Sequence, residues 1–121
     1  MMQKKKILIV DDDVVILKLI RTYLEDQYES YIVPSGTMAI KFLSKKTADL
    51  ILLDYKMPEM DGIETLDNIR KLELEKIPKV LFLTGEQNEE IVQRIKEQNS
   101  EGYIMKPVKK DDLLEHINKV L

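Results

Sequence analysis

The chain has 121 residues, 44% of them hydrophobic, which suits one domain and leaves no length for two. It contains no Cys, so disulfides, thiolate-bound zinc, iron–sulfur clusters and thiol catalysis are excluded. Lys plus Arg number 19 against 22 Asp plus Glu, a formal charge of −3 that argues against nucleic acid as a direct partner.

The elements alternate along the chain. Residues 6–10 form a short apolar run, Lys6-Ile7-Leu8-Ile9-Val10, with no signal-peptide core before it. Residues 14–26 follow as a helix whose expected core stripe is Ile16, Leu19, Ile20, Tyr23 and Leu24. A weaker strand, 30–33, ends at Pro34, and Ser35 caps a second helix over 37–44. The run Leu50-Ile51-Leu52-Leu53 is a third strand, and Asp61-Gly62 opens a helix over 63–72. A fourth strand over 79–83 precedes Asn88, the expected cap of a helix over 89–98. A fifth strand over 102–105 precedes a helix over 111–120, for which Asp111 is the expected cap. The strands are continuously apolar, not alternating, which predicts cover on both faces and a parallel sheet. The fold class is therefore α/β with βα repeated five times and helices on both faces. No apolar run approaches the roughly 20 residues of a membrane span, and a cytoplasmic location without membrane contact is expected.

In open parallel sheets, ligands bind beyond the carboxyl ends of the strands. Here those ends carry Asp11-Asp12-Asp13, Asp54, Thr84 and Lys106-Pro107. Clustered carboxylates repel one another, and a divalent cation relieves the repulsion. All-oxygen ligands favour Mg²⁺ or Mn²⁺, whereas zinc is disfavoured because the single His116 lies on the last helix. A metal, a carboxylate nucleophile, a lysine and a hydroxyl together describe a phosphoryl-transfer site whose product is an aspartyl phosphate. Nucleotide-cradling loops are absent: there is neither G-x-x-x-x-G-K-[ST] nor G-x-G-x-x-G. Asp11 and Asp13 have the spacing of a haloacid-dehalogenase-type phosphatase nucleophile, but Val14-Val15 stands where that motif has Gly-Thr.

Over essentially its whole length the sequence resembles the receiver domains of two-component response regulators. The resemblance rests on Ile7-Leu8-Ile9-Val10-Asp11-Asp12-Asp13, on Leu52-Leu53-Asp54-Tyr55-Lys56-Met57-Pro58-Glu59-Met60-Asp61-Gly62, on Leu83-Thr84-Gly85 and on Gly102-Tyr103-Ile104-Met105-Lys106-Pro107. It implies a doubly wound, flavodoxin-like (βα)₅ fold with strand order 2-1-3-4-5, residues 1–121 forming a single receiver domain. It further implies that Asp54 is the phosphoacceptor and that Asp12 binds Mg²⁺ (or Mn²⁺) directly. Asp11 would act largely through a coordinated water, and the backbone carbonyl of Lys56 would complete the protein's share of the metal shell. Lys106 and Thr84 would bind phosphoryl oxygens, and Lys106-Pro107 would be a cis peptide. Thr84 and Tyr103 would be the switch, re-shaping the face formed by the fourth helix, fifth strand and fifth helix. The implied partners are a sensor histidine kinase or histidine phosphotransfer domain and a downstream protein or linked output domain, with a phosphorylation-dependent dimer open to the family. Such a domain is a switch that modifies and restores itself, not a turnover enzyme.

Three further expectations come from particular residues. Val14 and Leu17 share a helix face with Lys18, away from the expected core stripe, so Asp13, Val14, Leu17 and Lys18 form a candidate kinase-docking patch. Lys56 and Glu86, each two residues beyond a site residue, have opposite charges that would pair across the site mouth. Asn99 is expected in a left-handed turn conformation.

Overall fold

The computed structural model describes residues 3–86 and 88–121, and shows why the strands are continuously apolar: each central strand sends alternate side chains into two separate cores. The elements are β1 (Lys6–Val10), α1 (Val14–Leu24), β2 (Glu29–Val33), α2 (Gly36–Leu43), β3 (Leu50–Asp54), α3 (Gly62–Arg70), β4 (Lys79–Thr84), α4 (Glu89–Lys96), β5 (Tyr103–Met105) and α5 (Lys110–Val120). All strands are parallel, in the order β2-β1-β3-β4-β5. Ile7 and Ile9 of β1, Leu50 and Leu52 of β3, and Leu81 and Leu83 of β4 pack with α1 and α5. The intervening Leu8, Val10, Ile51, Leu53, Val80 and Phe82 pack with α2, α3 and α4. Period-2 geometry with both faces buried removes the polar alternation of a half-exposed strand.

Register brings the site together. Val10 pairs with Leu53, Asp54 with Leu83, and Thr84 with Met105, so residues 11, 54, 84 and 106 emerge on one rim. Gly62 sits where α3 crosses the end of β3: a Cβ there would lie 2.5 Å from the Asp54 carbonyl oxygen. Only glycine lets the helix approach the strand end so closely. Asp61 caps the same helix in a reciprocal capping box with Glu64, Asp61 Oδ1 accepting from the Glu64 N–H at 2.8 Å.

The structure corrects several expectations. The core stripe of α1 is Leu17, Ile20 and Leu24, with Leu17 only 2% exposed and Leu19 43% exposed. The i, i+3, i+7 and i, i+3, i+4 patterns share Ile20 and Leu24, and in a helix this apolar the composition does not choose between Leu17 and Leu19. Leu17 is therefore core, not part of a docking surface. Helix α5 begins with Lys109 in the cap position and no side-chain cap, while Asp111 and Asp112 occupy the first turn, where their charge suits the helix dipole. The fifth strand starts at Tyr103 because Gly102 has φ +125°, and Asn99 has φ 56° as expected. Ser35, Asp61 and Asn88 cap as expected.

Candidate functional site

Asp11 and Asp54 end adjacent strands, and both are buried, Asp11 completely and Asp54 to 3% exposure. Asp12 beside them is exposed. Ligand oxygens of the three lie within 4.8 Å of one another. Two of the three acidic residues ending β1 have distinct structural tasks. Asp13 caps α1, its Oδ1 accepting from the Val15 N–H at 2.9 Å, which is the capping reading of this run. Asp11 braces the turn, its Oδ1 accepting from the Asp13 N–H at 2.9 Å.

One ammonium serves the group. Lys106 Nζ stands 2.9 Å from Asp11 Oδ2 and 3.1 Å from Asp54 Oδ1. It reaches them from the end of β5, where Lys106-Pro107 is a cis peptide. One cation does not balance three carboxylates. Burial, then the charge of Asp11, raises the Asp54 carboxyl to about 7 against the pull of Lys106. Burial works against the charged form of Lys106, but its ion pairs with Asp11 and Asp54 outweigh that and raise its pKa.

The donor set fits a hard divalent cation. Asp11 Oδ2 is buried and accepts no hydrogen bond: the Lys106 ammonium is close enough but lies outside hydrogen-bond geometry. A buried carboxylate oxygen compensated only by an ammonium it shares with Asp54 is costly, and a divalent metal is a suitable further partner for it. Lys56 borders the same cleft, of about 370 Å³, as do Asp12, Thr84 and Glu86.

The remaining expected residues divide. Thr84 is 2% exposed at the end of β4 but faces its own loop: its hydroxyl accepts from the Glu86 N–H at 3.1 Å and lies 3.2 Å from the Glu86 carbonyl oxygen. Lys56 and Glu86 do pair, at 3.3 Å, across the mouth of the cleft. Tyr103 is half-buried against the core beneath α2, α3 and α4, and does not line the cleft. Val14 is 51% exposed and Asp13 and Lys18 are exposed, whereas Leu17 is not. Sequence reasoning missed Val15, 74% exposed, and Leu19 on the outer side of α1. It also missed a contact behind the site, where Arg94 Nη1 of α4 donates to the Tyr55 hydroxyl at 3.0 Å. Residues 39 apart leave no local spacing signal for such a contact. His116 is exposed enough on α5 to need no buried partner, its Nδ1 lying 2.8 Å from the Asp112 carbonyl oxygen.

A doubly wound parallel sheet whose carboxyl rim gathers three carboxylates and a lysine defines a flavodoxin-like fold with a charged site at its strand ends. The chain belongs to the response regulator receiver domain family, whose model matches residues 7–118. It is similar to sporulation initiation phosphotransferase F of Bacillus subtilis, 32% identical over 99% of this chain and 96% of that protein. Among solved structures it resembles chemotaxis protein CheY4 of Vibrio cholerae, with 31% identity, a TM-score of 0.91 and coverage of 98% of this chain and 100% of that one. It also resembles a CheY-like receiver domain protein of Methanospirillum hungatei, with 35% identity, a TM-score of 0.87 and coverage of 97% and 93%. Among the described residues, no helix is long and apolar enough to cross a membrane.

Proposed function

We propose that this chain is a phosphoacceptor switch in a two-component phosphorelay, Asp54 receiving a phosphoryl group from a phosphohistidine on a histidine kinase or phosphotransfer partner. The observation that carries the reading is the pair of buried carboxylates, Asp11 and Asp54, sharing the single Lys106 ammonium beside exposed Asp12. An Asp54 carboxylate oxygen attacks phosphorus, the P–N bond breaks, and the partner's imidazole leaves, taking up a proton. Lys106 offsets charge on the phosphoryl oxygens, and Thr84 donates to one of them once it releases Glu86. Asp12, Asp54 and the Lys56 carbonyl would hold Mg²⁺ (or Mn²⁺) directly and Asp11 largely through a water, and the ion would supply positive charge to the phosphoryl oxygens. The transfer is made once per activation and reversed by hydrolysis, so residues 1–121 act as a receiver domain and not as an enzyme on an external substrate.

Tyr103 and Thr84 form the switch that alters the face of α4, β5 and α5 for a downstream protein or linked output domain. The kinase or phosphotransfer partner docks on the exposed side of α1 beside the cleft, where Asp13, Val14 and Lys18 are joined by Val15 and Leu19.

The test is intact mass after incubation with Mg²⁺ and acetyl phosphate, beside Asp54→Asn and a chelated control. One added phosphoryl group, absent from both controls, is expected. No added mass from acetyl phosphate or from phosphohistidine donors would favour a receiver-like scaffold that only binds partners.

A further inference from the structure

We infer that Tyr55 and Arg94 form a latch that holds α4 in the unphosphorylated arrangement and so sets how readily Asp54 is occupied. The inference rests on the phosphoacceptor reading of Asp54.

Tyr55 is the residue directly after Asp54, and its backbone is fixed on two sides. Its N–H donates to the Leu83 carbonyl at 2.8 Å, and its carbonyl accepts from the Gly62 N–H at 2.8 Å. The side chain is 8% exposed. Its hydroxyl is thus carried on a rigid mount at a part-buried position, and a donor to it has a defined position. That donor is Arg94, whose guanidinium carbon also lies 5.9 Å from the Tyr55 ring centre. Arg94 sits in the last turn of α4, a two-turn helix whose buried residues are Ile91 and Ile95. One charge-assisted hydrogen bond is a large share of what holds so short a helix in register.

Thr84 gives the latch its direction. Its hydroxyl is engaged with the Glu86 backbone in the loop immediately before α4. To reach a phosphoryl group on Asp54 it must release that loop, and the loop leads through Asn88 into α4. The Tyr55–Arg94 contact is formed together with the Thr84–Glu86 contact, and the latch consists in its being lost when Thr84 turns toward Asp54. A contact made in only one of two arrangements stabilises that one, so its removal favours the other. Arg94 touches neither Asp54 nor the metal ligands; both latch residues are positioning residues.

The probe is beryllofluoride with Mg²⁺, a non-hydrolysable stand-in for the phosphoryl group. Affinities are measured for the wild type, Tyr55→Phe, Arg94→Gln, the double variant and Arg94→Lys. Each of the first two single changes is expected to tighten binding about fivefold, the worth of one net hydrogen bond. The double variant should be no tighter than either single, and Arg94→Lys should fall between wild type and Arg94→Gln. Amide exchange in unliganded α4 should be faster in the same variants, a second readout that does not depend on the probe. Unchanged or weakened affinity in the singles, or additive effects in the double, would overturn the latch while leaving the phosphoacceptor reading intact. A wild type that binds no beryllofluoride and takes no phosphoryl group would overturn both.

Discussion

The ammonium of Lys106 lies 3.1 Å from Asp54 Oδ1, so the edge strand β5 supplies the counter-charge for the end of the central strand β3. The same ammonium also serves Asp11, leaving two buried carboxylates on one cation. Relief of that repulsion predicts that Asp54→Asn is more stable than wild type in metal-free buffer, by about 1–2 kcal/mol in urea unfolding. Mg²⁺ should stabilise the wild type by mass action and leave Asp54→Asn nearly unmoved. A less stable Asp54→Asn would mean that Lys106 already balances both carboxylates.

The pH dependence follows from the same burial. Asp54 is raised from 3.8 to about 7, so between those values the folded protein holds a proton that the unfolded chain has released. The contribution of this group to stability is greatest below the unfolded value and is lost as pH rises through about 7. Metal-free wild type should therefore melt higher at about pH 6 than at about pH 8, by about 4 °C for a contribution near 1 kcal/mol. Asp54→Asn should give a flatter profile over that interval. Equal slopes in the two proteins would assign the pH dependence to another group.

Lys56 and Glu86 are 81% and 45% exposed in their side chains, so their ion pair adds little to stability. Its position across the cleft mouth gives it a different effect, on the approach of water to an acyl phosphate on Asp54. Lys56→Ala and Glu86→Ala should each shorten the phosphoaspartate lifetime about two- to fivefold, followed by intact mass after removal of the donor. Neither should shift the urea midpoint by more than about 0.5 kcal/mol. Lifetimes equal to wild type would remove the pair from the control of hydrolysis.

The strand ends were legible in the sequence because chemistry and topology coincide there. A parallel sheet puts every strand's carboxyl end on one rim, so Asp11, Asp54, Thr84 and Lys106 needed only their positions in the chain to be placed together. The pairing of Lys56 with Glu86 followed from their offsets. Orientation within the rim was not legible. Thr84 facing Glu86 depends on a rotamer, and the Tyr55–Arg94 contact on the docking of a helix 39 residues away. The rotation of α1 was misread because apolar residues surround its first turns and do not mark one face.

That rotation changes how docking on α1 must be tested. Leu17 is part of the core with Ile20 and Leu24, so Leu17→Lys would place an ammonium against β1 and β3 and unfold the domain without probing any partner. Even Leu17→Ala should cost about 2–4 kcal/mol. Val15 and Leu19 are four residues apart on the exposed side, with Val14 and Lys18 beside them, and substitutions there leave the core untouched. Val15→Lys and Leu19→Lys should slow transfer from a phosphohistidine donor about tenfold or more by opposing an apolar contact with the partner's helices. Phosphorylation by acetyl phosphate, which needs no docking surface, should proceed at the wild-type rate in both. Slowing by both donors would place the effect in the cleft, and slowing by neither would leave these residues as isolated surface apolar groups.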